Sequence, residues 1–295
     1  MKKRNSKKGK QNKTASWRGM SLRGRPLLVP ALFLLIGVGL LASTFFLYEP
    51  QQQERSAAVI PVPPPPPAPE KKEPPMPRLA IVIDDVGVSK APIKKLIALR
   101  MPLTFAILPS QRHSTELANV INDAGYEVII HIPMEPDDIN GNNPGKSALL
   151  VSQSDQTIRE EIKKMIQEIP HAVGTSNHMG SKFTKNYDKM RCVLEEIKSS
   201  GLYFLDSRTT ADSVAFKLAR QMGVKSSSRR VFIDNELDTE AIKNELRRSI
   251  RYALSKGEAI AIGHPHKQTI MALAQMKESI ENAGIELVPA SSLAR

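Results

Sequence analysis

At 295 residues, with 41% hydrophobic residues and a formal net charge of +12, the chain can bury one substantial core and carries a surplus of cations. The surplus is local: residues 1–25 hold ten Lys or Arg and no acid, whereas residues 79–295 carry 28 basic against 26 acidic side chains. A nearly neutral globular part without a basic stripe and interleaved aromatics excludes a nucleic-acid binder, and the single Cys192 excludes an intramolecular disulfide.

Directly after the basic tail comes PLLVPALFLLIGVGLLASTFFLY, residues 26–48, without a charge. About 20 apolar residues span a bilayer, so the segment is long enough to cross one. It exceeds the ~7–15 apolar residues of a cleaved signal peptide, and Phe45, Phe46 and Leu47 follow the small residues where a cleavage site would lie. The expectation is a retained single-pass transmembrane anchor, with 1–25 a cytoplasmic tail and everything after Tyr48 on the extracytoplasmic, periplasmic side. Residues 49–78 then hold ten prolines between positions 61 and 77. Such a stretch cannot build a core and favours extended polyproline II at ~3.1 Å per residue, so it predicts a linker. One domain, 79–295, remains.

Within it, short apolar runs alternate with amphipathic ones. Strands are predicted at 79–83, 103–108, 126–132, 171–175, 202–205, 230–233, 258–263 and 285–289, with helices at 89–99, 114–124, 155–168, 186–199, 212–222, 239–255 and 268–283. Alternation of this kind implies an α/β fold with a mostly parallel sheet. Seven or eight units over this length predict a closed or nearly closed (β/α) barrel.

The polar residues that need explaining follow those strands. The first ends on Asp84 and Asp85, the third delivers His131 and then Glu135, and the fourth is followed by Asn177 and His178. The fifth delivers Asp206 and Arg208, the sixth Asp234, and the seventh His264 and His266. The strand exits of an α/β sheet are where such proteins keep their chemistry. Carboxylates and imidazoles gathered there suit a zinc-class divalent cation, which needs about three ligands and one open position. Successive strand residues point to opposite sides, so Asp84 and Asp85 are expected to take different roles, one holding metal and one acting as base.

The stretches IDDVG, HIPMEP, NHMGS, FLDSRTT and IGHPH resemble the divergent polysaccharide deacetylases, a branch of the carbohydrate esterases that includes chitooligosaccharide deacetylases. The resemblance implies Asp84 as catalytic base, Asp85 and His131 as metal ligands, His264 as general acid, and Asp206 and Arg208 as groups that orient the base and bind substrate. The wider group has two histidines four residues apart in its second motif; here the second position is Glu135. The resemblance therefore leaves two candidates for the third ligand, His178 and Glu135, with His178 the better. Glu135, Asn177 and His266 are expected beside Asp206 and Arg208 on the substrate side.

The implied activity is metal-dependent removal of N-acetyl groups from a polysaccharide or oligosaccharide of the cell envelope. An alternative of another class is a non-catalytic envelope protein that binds glycan on a deacetylase-like fold, motivated by the change at Glu135 and by the tether. A glycosidase using Asp84 and Glu135 ranks last, because histidines surround both acids.

Overall fold

The expected first strand forms as β1 (Arg78–Val86), whose apolar run is buried on both faces, as an internal parallel strand requires. The chain continues through α1 (Lys90–Ala98), β2 (Leu103–Ile107), α2 (Ser114–Asp123), β3 (Glu127–Met134), α3 (Asp155–Glu168), β4 (Ala172–Met179) and α4 (Tyr187–Ser199). It ends with β5 (Tyr203–Asp206), α5 (Ala215–Gln221), β6 (Ser226–Ser228), β7 (Val231–Phe232), α6 (Thr239–Lys256), β8 (Glu258–Gly263), α7 (Lys267–Glu281) and β9 (Glu286–Leu287). This computed structural model describes residues 75–295. The expected cytoplasmic tail, the anchor at 26–48 and nearly all of the linker lie outside the described residues. No helix among the described residues is long and apolar enough to cross a membrane.

Among the described residues all strand pairings are parallel, in the order β6-β5-β4-β3-β2-β1-β8-β7. Alternation along the strands sorts the core into two layers. Leu79, Ile81 and Ile83 of β1 pack in the larger cluster with the helices, which includes Ile93 and Leu96 of α1 and Ile242 and Leu246 of α6. Ala80 and Val82 join a second cluster with Ala106, Ile129, Leu205, Ile260 and Ile262, which fills the inside of the curled sheet. Val288, Ala290 and Leu293 of the C-terminal segment belong to this inner cluster.

The sheet differs from the expected barrel of seven or eight complete units in two places. The strand expected at 285–289 shortens to β9, which pairs with Arg78 and Leu79 of β1 instead of extending the sheet as an eighth stave. The strand expected at 230–233 shortens to β7 and is preceded by β6, a run of three serines with no apolar residue to betray it. No ladder joins β6 to β7. The intervening chain reaches both sides of the gap: Arg229 N–H donates to Asp206 O at 3.0 Å and Arg230 N–H to Ile260 O at 2.8 Å. The result is a strongly curled sheet with one seam.

Candidate active site at the strand ends

The inward-facing column of β1 runs Ala80, Val82 and, by the same period of two, Asp84. His131 follows Ile129 in the same way, and His264 follows Ile262. His131 lies opposite Ser176 in the β3–β4 register, and His178 follows Ser176 by two. Alternation alone therefore sends Asp84, His131, His178 and His264 to the inner rim. Asp85 breaks the rule. Between Ile83 and Val86 the register against β2 slips, and Asp85 takes φ +58°, the left-handed region rare for a non-glycine residue. This bulge re-aims the second acid. Contrary to expectation, the two carboxylates do not diverge to opposite sides: His131 Nε2 lies 3.4 Å from Asp84 Oδ2 and 3.4 Å from Asp85 Oδ1.

Around Asp85 the geometry is that of ligands converging on a point. His178 Nδ1 lies 2.8 Å from Asp85 Oδ1, and one donor atom from each of Asp85, His131 and His178 falls within 4.8 Å of the others. Despite these approaches, Asp85 Oδ1 is buried and closes no hydrogen bond, and Asp84 Oδ1 is likewise buried without a partner. A buried, unpaired carboxylate oxygen facing two imidazole nitrogens fits a divalent cation, with one carboxylate and two imidazoles as its donor set. The ring of His131 is fixed from behind by a 2.7 Å hydrogen bond between Nδ1 and Ser176 Oγ, which leaves Nε2 facing the acids. The two acids titrate apart. Burial pushes Asp84 up, only partly countered by the histidines. Burial also acts on Asp85, but His131 and His178 outweigh it and hold that carboxyl well below the usual range.

Next to this group stands His264, with Nε2 3.9 Å from Asp85 Oδ2. Its Nδ1 lies 3.0 Å from Asp234 Oδ1, and Asp234 Oδ2 accepts from His264 N–H at 2.6 Å and Thr269 Oγ at 2.8 Å. Burial alone would lower the imidazole pKa, but the Asp234 carboxylate reverses this and pushes it up to about 9. The ring stacks on Phe232 at 6.1 Å between centroids, and the Arg229 guanidinium covers Phe232 at 3.7 Å.

The remaining expected site residues engage the protein itself. Glu135 accepts from Lys182 Nζ at 2.6 Å and from Val151 N–H at 2.7 Å, tying the loop after β3 to the loop after β4. It is not among the converging donors. Asn177 bridges Met179 O and Ser207 N–H, joining two rim loops. Asp206 is fully buried and accepts from Arg208 N–H, Ser213 Oγ and Phe216 N–H at the start of α5. Arg208, with φ +47°, donates to Ala211 O. His266 is exposed at the start of α7, its ring 5.8 Å from that of His264, and with Asp234 and His264 it forms a second group of possible ligands. Ser176, Thr269 and Arg229 were not expected from the sequence. Only Ser176 left a trace there, two residues before His178 on the same face of β4.

Fold and site together define an α/β domain of the polysaccharide-deacetylase kind. The chain belongs to the divergent polysaccharide deacetylase family, whose model matches residues 81–294. It is 38% identical to the protein YibQ of Escherichia coli K12 over 216 residues, 73% of this chain and 67% of that one. A Haemophilus influenzae Rd protein is 32% identical over 196 residues, 66% of this chain and 69% of its own. A crystal structure of an Agrobacterium tumefaciens C58 protein superposes with a TM-score of 0.70 at 24% identity, covering 76% of this chain and 91% of the other, a likeness of fold.

Proposed function

We propose that the domain is a metal-dependent amide hydrolase that removes acetyl groups from N-acetylated sugars of a cell-envelope glycan. The observation that carries this reading is the pairing of a partly buried ligand group, Asp85, His131 and His178, with a second acid, Asp84, and an Asp234-backed imidazole, His264, beside it. Those three residues would hold a divalent cation of the zinc class, which when bound would supply Lewis acidity. Asp84 accepts a proton from the attacking water as the water oxygen bonds to the acetyl carbon. His264, kept cationic by Asp234, gives its proton to the amide nitrogen as the carbon–nitrogen bond breaks, releasing acetate and a free amine. Family membership supports the carbohydrate substrate class. The uncharged segment 26–48 behind a basic tail supports an anchored protein whose domain faces the envelope.

Acetate release from chitin oligomers and peptidoglycan fragments, measured before and after chelation, tests the reading. Release that chelator stops and zinc restores is expected. Chelator-insensitive release, or none from any N-acetylated glycan, would overturn it.

A further inference from the structure

Away from the strand exits, the seam of the sheet holds a cleft of about 430 Å³ that the reaction does not use. Its walls are β6, the first half of β8 and parts of α5 and α6. β6 is the least strand-like strand in the fold, three successive serines, and all three line the cleft. Ser226 and Ser227 are buried, and neither hydroxyl has a hydrogen-bond partner. Unpaired buried hydroxyls cost free energy and are uncommon in native proteins. By strand alternation Ser226 and Ser228 share the helix-side face of β6 with Phe204 of β5, and Ser227 takes the other, so Ser226 and Ser228 are the pair that can turn toward one ligand.

The charge of the cleft points to the ligand. Arg220, Arg230 and Lys256 line it, and among the described residues Arg230 and Lys256 pair with no carboxylate. Arg220 donates to Arg295 O, which in a chain ending there belongs to the α-carboxylate, and Arg230 lies over the Tyr252 ring at 5.4 Å. The one acidic side chain in the lining, Glu258, is already held by Arg78 and Arg295. Two cations without acidic partners, Arg230 and Lys256, beside the hydroxyls of Ser226 and Ser228 match the oxygens of a tetrahedral anion, for which guanidinium and hydroxyl groups are the usual donors.

We propose that this seam cleft binds a phosphate-type oxyanion, free or as the phosphoryl group of a small molecule or lipid headgroup. It is separate from the hydrolytic centre, so its fate does not depend on the reading above.

The test is thermal unfolding of the 75–295 domain in increasing inorganic phosphate, against sodium chloride at matched ionic strength. A saturable rise in Tm with phosphate is expected. The Arg230→Ala/Lys256→Ala variant, altered at exposed positions, should weaken apparent affinity by about tenfold or more. Ser226→Ala should weaken it too without lowering Tm in chloride, because the hydroxyl it removes has no partner. A parallel arm with phosphatidylglycerol vesicles and with a sugar phosphate separates the sources: vesicle binding lost in the double variant assigns a lipid headgroup, and a stronger response to the sugar phosphate assigns a small solute. A phosphate response no larger than that of chloride, or one unchanged in both variants, would overturn the proposal.

Discussion

Asp84 and Asp85 are adjacent in the chain and share one imidazole, yet their surroundings drive them apart. Asp84 is buried with a raised pKa, whereas Asp85 is held ionised by two histidines. Asp84→Asn keeps the shape and removes the proton acceptor, so turnover should fall ~10²–10⁴-fold, the usual worth of a general base, while bound metal stays. Steady-state acetate release beside metal analysis checks this. The Asp234–His264 pair makes a pH prediction. His264 is raised from 6.5 to about 9, so its folded form binds the proton more tightly than the unfolded chain, and the pair's contribution is full below about pH 6.5 and fades as pH rises through about 9. In metal-free protein, the Tm gap between wild type and Asp234→Asn should therefore be widest near pH 6 and close above pH 9. A gap that widens with pH would contradict the pairing. At this scale the inner-face residues were readable from strand alternation. Asp85 was not, because a bulge with a left-handed residue leaves no mark in an apolar pattern.

The elements hold the site through close contacts at strand ends. Gly263 closes β8 one residue before His264, and a Cβ there would meet Ile233 Cγ1 at 2.7 Å and Asp234 Oδ2 at 3.2 Å. Gly263→Ala should cost ~1–3 kcal/mol by overpacking and also lower turnover by displacing the carboxylate that backs His264. Denaturant unfolding and acetate release measure the two effects, and unchanged turnover would separate Asp234 from the chemistry. The long amphipathic helices were legible, since their periodicity and caps agree: Asp238 accepts from Glu240 and Ala241 N–H at the start of α6, and Gly257 at φ +84° ends it. The seam was not. β6 has neither the branched nor the apolar residues that mark strands, and only its neighbours β5 and Arg295 show that it is one.

For the whole molecule, the sheet and both core layers lie within residues 78–294, so a fragment beginning at Pro75 should unfold cooperatively on its own. A reporter fused after Arg78 of the full chain should be active only in its exported form if residues 26–48 anchor the protein with the basic tail inside. Cytoplasmic reporter activity would reverse that topology. The α/β class was legible because strand and helix periods alternate cleanly. Whether the barrel closes fully was not, because it depends on which strand lies beside which, and a seam is left between β6 and β7. The account rests on one claim above the rest: Asp85, His131 and His178 hold a cation, while Asp84 and Glu135 do not. Metal stoichiometry of the purified zinc-loaded domain tests it directly. About one ion per chain is expected in wild type, Asp84→Asn and Glu135→Gln, with loss in Asp85→Ala, His131→Ala and His178→Ala. Metal lost in Glu135→Gln but kept in His178→Ala, or kept in every variant, would contradict it.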